Sequence, residues 1–116
     1  MRYVDAYVIP IPKRHLKAYV KMAQLGKRTW MKHGALDYYE CVADDLKSWG
    51  LGYAKMAKLK KGETVVVAFV VYKSRAHRDR VNAKVMKEFA AAGVEMDMPF
   101  DVKRMANGGF SVIVGS

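Results

Sequence analysis

The chain has 116 residues, 52% hydrophobic and 28% charged, which suits one folded domain over residues 1–116 and excludes a disordered chain. No apolar run approaches the ~18 residues of a membrane span, and the lone Cys41 excludes an internal disulfide. The formal net charge of +10 favours polyanions, but lysine-coated helices and sheet edges carry the same signature.

Tyr3-Val4-Asp5-Ala6-Tyr7-Val8-Ile9 predicts a first strand, rich in aromatic and β-branched side chains and ended by Pro10 and Pro12. Between Lys13 and His33, apolar residues recur at Leu16, Tyr19, Val20, Ala23, Trp30 and Met31, opposed by Lys13, Arg14, Lys17, Lys21, Lys27, Arg28 and Lys32. That period predicts a helix, with Gly26 as a small cost and Gly34 as its stop. Residues 35–43 predict a second strand. An irregular stretch then runs from Asp44-Asp45 to Lys60-Lys61-Gly62, within which residues 53–59 fit a short strand or a helical turn equally well.

Residues 64–72, Thr-Val-Val-Val-Ala-Phe-Val-Val-Tyr, hold no charge and no polar alternation. Successive strand side chains point to opposite faces, so this strand is expected to be buried on both. Ser74 is placed to cap a helix from Arg75 to about Ala92, with Val81, Val85, Met86 and Phe89 as its buried stripe and Gly93 as its end. A loop over 94–101 around Pro99 leads to a last strand, predicted from Lys103-Arg104-Met105 and residues 110–114, with Gly108-Gly109 as a bulge or turn.

The succession is β-α-β-β-α-β, the ferredoxin-like split motif of the α+β class. Right-handed crossovers put both helices on one side of a four-stranded antiparallel sheet. The other face, apolar through residues 64–72, then needs a cover. Two sheets stacked about a two-fold axis, a homodimeric α/β barrel, would supply it.

Three blocks carry a family resemblance: Ala35-Leu36-Asp37-Tyr38-Tyr39-Glu40-Cys41-Val42-Ala43-Asp44-Asp45, Ser74-Arg75-Ala76-His77-Arg78-Asp79-Arg80-Val81-Asn82-Ala83-Lys84-Val85-Met86, and Met98-Pro99-Phe100-Asp101-Val102-Lys103-Arg104-Met105 with Gly108-Gly109-Phe110 beyond. In these the chain resembles the YbaA-like family, a bacterial family of unknown function. The resemblance implies a relationship to the dimeric α/β barrels and assigns no reaction. The family's tryptophan in the third strand is replaced here by Ala68-Phe69-Val70, and its Asp-Pro segment soon after the position of Met86 by Lys87-Glu88-Phe89.

Asp5 and Tyr7 share one face of the first strand, and a carboxylate there needs a partner or a wet pocket. With Trp30 and Tyr38 they are candidates to line a small cavity between sheet and helices, core packing being the alternative for the two aromatics. His77, Arg78 and Asp79 open the second helix, where a ~100° turn per residue prevents all three from facing one site. His77 suits proton transfer; capping, pairing and orienting of the helix start by Arg75, Arg78 and Asp79 is the alternative. Asp101 and Arg104 flank the last strand's entry, either as a bidentate anion grip or as an internal ion pair pinning the loop. His15, His33 and His77 lie far apart and Cys41 stands alone, so no zinc spacing exists. Glu40, Asp44 and Asp45 lack the glycine-spaced loop of a calcium site and read as a solvated turn.

The expected function is small-molecule binding or conversion in that cavity, by a homodimer using neither metal nor organic cofactor. A nucleic-acid partner rests on charge alone, and no RNA-binding signature accompanies it. A purely structural or regulatory dimer is the third reading. No membrane role is indicated. The opening Met1-Arg2-Tyr3-Val4-Asp5 has no signal-peptide core, so a reducing cytoplasm is the expected compartment.

Overall fold

The four strands make a single antiparallel sheet, in which the second, third, first and fourth strands of the chain lie side by side in that order. The computed structural model, which describes residues 1–93 and 98–116, gives β1 (Tyr3–Pro12), α1 (Leu16–Lys32), β2 (Asp37–Val42), α2 (Tyr53–Met56), β3 (Glu63–Tyr72), α3 (Arg75–Ala91) and β4 (Ala106–Ser111). The fold is α+β with three helices, the short α2 resolving the ambiguity of residues 53–59. Part of the expected loop over 94–101 lies outside the described residues.

Helix ends follow their local chemistry. Gly34 stands at φ +111° just past α1, and the Oγ of Ser74 accepts from the His77 backbone N–H at 3.1 Å to start α3. Lys32 Nζ and His33 Nε2 both reach Glu88 Oε1, at 2.7 and 2.9 Å, and tie the end of α1 to α3.

Strand bounds differ from expectation at two places. β1 does not stop at its prolines but runs through Pro12, paired with β3 from Tyr3↔Tyr72 to Pro12↔Glu63. Its pairing with β4 ends at Val8↔Ala106, and even-numbered residues of β1 turn their backbone groups toward β4. Pro10 and Pro12 therefore occupy positions where no partner strand asks for an N–H. In the second case, β4 covers Ala106–Ser111 in continuous register through Gly108-Gly109, without a bulge, and residues 112–114 lie beyond it. Gly109 is explained by Tyr3: a Cβ there would collide with the phenol ring and its oxygen. Residues 102–104 form a 3₁₀ turn rather than strand.

Register divides the sheet into two faces. Tyr3, Asp5, Tyr7, Ile9 and Ile11 of β1, with Val66, Ala68, Val70 and Tyr72 of β3, face α1 and α3. Two clusters form there, one around Tyr72, Val81 and Val85, the other around Ile11, Tyr19 and Val66. The opposite face carries Val4, Ala6, Val8, Val67, Phe69 and Val71, flanked by Tyr39 and Phe110, which are 53% and 58% exposed. The chain measures 38 × 37 × 20 Å. Its thin dimension is about one sheet plus one layer of helices; at one end of the apolar face Val65 and Pro10 are buried, whereas Val67, Phe69 and Val71 are only half-buried.

Candidate functional site

The site grows from two periodicities that meet. On β2, Tyr38, Glu40 and Val42 alternate onto the helix side of the sheet, opposite Val70, Ala68 and Val66 of β3. On α1, Tyr19, Ala23, Gly26 and Trp30 recur at three- and four-residue intervals and face the same space. Asn82, Met86 and Phe89 of α3 close one side, and Met98, Phe100, Val102 and Met105 of the segment before β4 close another. Between them lies a cavity of about 450 Å³, within the range of small-molecule sites.

Its walls are mainly aromatic and thioether. Trp30 lies 5.9 Å from Phe89 and 6.1 Å from Tyr38, ring to ring, and Tyr19 is 5.8 Å from Phe100. One carboxylate enters this lining. Tyr19 donates to Glu40 Oε1 at 2.5 Å and Tyr38 donates to Oε2 at 2.7 Å, lengths typical of phenol bonds to an ionised carboxylate. Burial, with the negative Glu40 beside them, pushes both phenols well above their ordinary pKa. The Tyr7 phenol, raised to about 12 by burial and then by Asp5, lines the cavity too. Gly26 fits because the Tyr38 hydroxyl passes 2.8 Å from where a Cβ would project.

A second polar cluster underlies the first. Asp5, 4% exposed, accepts from Arg78 Nη1 at 2.6 Å and from Asn82 Nδ2 at 3.3 Å. Asn82 Oδ1 in turn accepts from Trp30 Nε1 at 2.9 Å and from the Tyr72 hydroxyl at 3.1 Å. The Arg78 guanidinium also lies 4.9 Å from the Tyr3 ring centre and donates through Nε to Asp79. Each member has a partner, so this cluster fixes β1 against α3 and holds the Trp30 ring.

Of the residues singled out from the sequence, Tyr7, Trp30 and Tyr38 line the cavity together. Asp5 and Arg78 form the ion pair next to it. His77 lies elsewhere: its Nδ1 accepts from the Lys73 N–H, its ring stands edge-on to Tyr72, and desolvation with Lys73 and Arg80 lowers its pKa. The divergence expected of residues 77–79 is seen. Asp101 caps the 3₁₀ turn by accepting from the Lys103 N–H. Arg104 turns from Asp101 to Glu63, which it grips with both nitrogens at 2.7 and 2.9 Å while donating to the Lys58 carbonyl. That grip pins the segment before β4 to the start of β3. Among the described residues, no group of three or more His, Cys, Asp or Glu side chains is placed to hold a metal, and no helix is long and apolar enough to cross a membrane.

Glu40, Tyr19 and Asn82 were not among the candidates. The signal for Glu40 was present, since the two-residue period that pairs Asp5 with Tyr7 also pairs Tyr38 with Glu40. Reading Glu40 with Asp44 and Asp45 hid it.

Comparison with known proteins agrees with the three sequence blocks. The model of the family described as "Protein of unknown function (DUF1428)" matches residues 2–102. The uncharacterized protein YbaA of Escherichia coli (strain K12), like that of Shigella flexneri, is 36% identical over 115 residues, covering 98% of this chain and 98% of the relative. Among solved structures, the de novo designed protein Foldit4 aligns with a TM-score of 0.50 at 9% identity over 97% of this chain and 99% of that one, a likeness of fold alone. The chain belongs to the DUF1428 family.

Proposed function

We propose that this protein binds, and in that way carries or transforms, a small organic molecule in the cavity between the sheet and helices α1 and α3. The observation that carries the reading is a largely apolar space of about 450 Å³ into which, among the described residues, a single carboxylate clamped by two phenols is introduced. Such a lining, with few convergent polar groups, is the usual make-up of ligand sites. The reading calls for neither metal nor organic cofactor, and it suits a single-domain cytoplasmic protein, where Cys41 stays reduced.

The working unit in this reading is a ferredoxin-like homodimer, two sheets stacked through their open faces as in the dimeric α/β barrels. The β4-β1-β3-β2 order and the placing of both long helices on one face support it. So do Val67, Phe69 and Val71, which a second copy of the same face would cover, and Trp49, fully exposed beside Leu51, Tyr53 and Met56. Sedimentation at low micromolar concentration should give the mass of two chains, and Phe69→Asp that of one. A thermal-shift screen of small organic compounds should give hits that Met86→Trp, a filling substitution at the cavity rim, removes. A stable wild-type monomer refutes the dimer, and hits indifferent to Met86→Trp refute the cavity.

A further inference from the structure

We infer that the cavity's ligand is an organic cation, an amine with an apolar, aromatic-sized body, recognised by the Glu40 carboxylate. This deepens the small-molecule reading above and rests on it. The first observation concerns charge. The chain holds 21 lysines and arginines, yet none lines the cavity among the described residues, and neither does a histidine. Elsewhere among the described residues three of the four buried or half-buried carboxylates are matched by bases, Asp5 by Arg78, Glu63 by Arg104 and Glu88 by Lys32 and His33, the fourth being Asp37 on β2. Glu40 meets two phenols and no base among the described residues. The space inside a strongly basic protein therefore carries a formal negative charge.

The second observation concerns hydrogen-bond direction. Both phenols spend their only proton on Glu40, so this end of the cavity offers lone pairs: those left on the two carboxylate oxygens and those of Tyr19 and Tyr38. A carboxylate or phosphate ligand would meet acceptors and a like charge. An ammonium group supplies up to three donors and the missing positive charge. The third observation is the wall. The rings of Tyr19, Trp30, Phe89 and Phe100 line the space, and aromatic faces attract cations in desolvated surroundings. The thioethers of Met22, Met86 and Met105 can pack an irregular apolar body.

The test compares three probes of one shape, naphthylmethylamine, naphthylmethanol and naphthoic acid, by calorimetry at neutral pH with the full-length wild-type protein. The amine is expected to bind roughly tenfold or more tightly than the alcohol, the margin of a hydrogen bond to a charged group, and the acid least. Glu40→Gln should erase that preference of amine over alcohol. Equal affinity of amine and alcohol, or a preference for the acid, overturns the cation inference and leaves the cavity reading standing. Binding of none of the three overturns both. The wild-type comparison decides the matter even if Glu40→Gln fails to fold.

Discussion

Replacing Gly26 by alanine tests how tightly the site is built. Glycine inside a helix is ordinarily worse than alanine by about 0.5–1 kcal/mol, so the substitution should stabilise if nothing opposes it. Here the new Cβ would fall 2.8 Å from the Tyr38 hydroxyl and 3.6 Å from Cζ. The second distance is ordinary contact; the first forces the oxygen away from its 2.7 Å bond to Glu40. A hydrogen bond to a charged group contributes about 1.5–3 kcal/mol, more than the helix gains. Gly26→Ala alone should therefore destabilise by about 1 kcal/mol. In a Tyr38→Phe background, where no hydroxyl is in the way, the same change should stabilise by about 0.5–1 kcal/mol. A double-mutant cycle from urea denaturation reads both. Equal stabilisation in the two backgrounds would refute the claim that Gly26 exists to admit the Tyr38 phenol.

Three further outcomes follow from the ion pairs and phenols. Asp5→Ala leaves the half-buried Arg78 guanidinium without its main partner and should cost about 3 kcal/mol in chemical denaturation; a loss under about 1 kcal/mol contradicts the buried-pair account. Hydrogen bonds from Arg104 and from the Lys60 N–H hold Glu63 down at about 2. Its stabilising effect is thus present above the ordinary carboxyl pKa and fades as pH falls toward about 2, and Glu63→Gln should flatten that part of the stability profile. Tyr7, Tyr19, Tyr38 and Tyr72 are all raised by burial, so stability is full below the phenol's ordinary pKa and declines as pH climbs past it. Phenolate absorbance should then show these four ionising only with unfolding, and a smooth titration of all seven tyrosines in the folded protein would count against it.

What the sequence made legible was mostly periodic. The Ser74 cap, the stop at Gly34 and the greasy third strand follow from local rules and are found in place, as are Val81 and Val85 of the stripe expected on α3; Phe89 of that stripe is half-buried and Met86 is exposed. The site was half legible: Tyr7, Trp30 and Tyr38 stand out as aromatics able to line a cavity, whereas Glu40, on the same face of β2 as Tyr38, is masked by Asp44 and Asp45 as part of a solvated turn. Arg104 shows the limit more plainly. Its partner Glu63 is 41 residues away, and only the docking of the segment before β4 on the start of β3 brings them together. The prolines of β1 misled for a related reason, since their tolerance depends on where the neighbouring strand happens to end.

That neighbouring end has a consequence for assembly. Past Val8 the flank of β1 has no paired strand among the described residues, the kind of border along which a stray polypeptide could add itself and start a fibre. Pro10 is itself buried there, and with imide nitrogens at Pro10 and Pro12 the border offers no donors to such an intruder. Growth of the sheet along that flank is thereby disfavoured by the sequence itself.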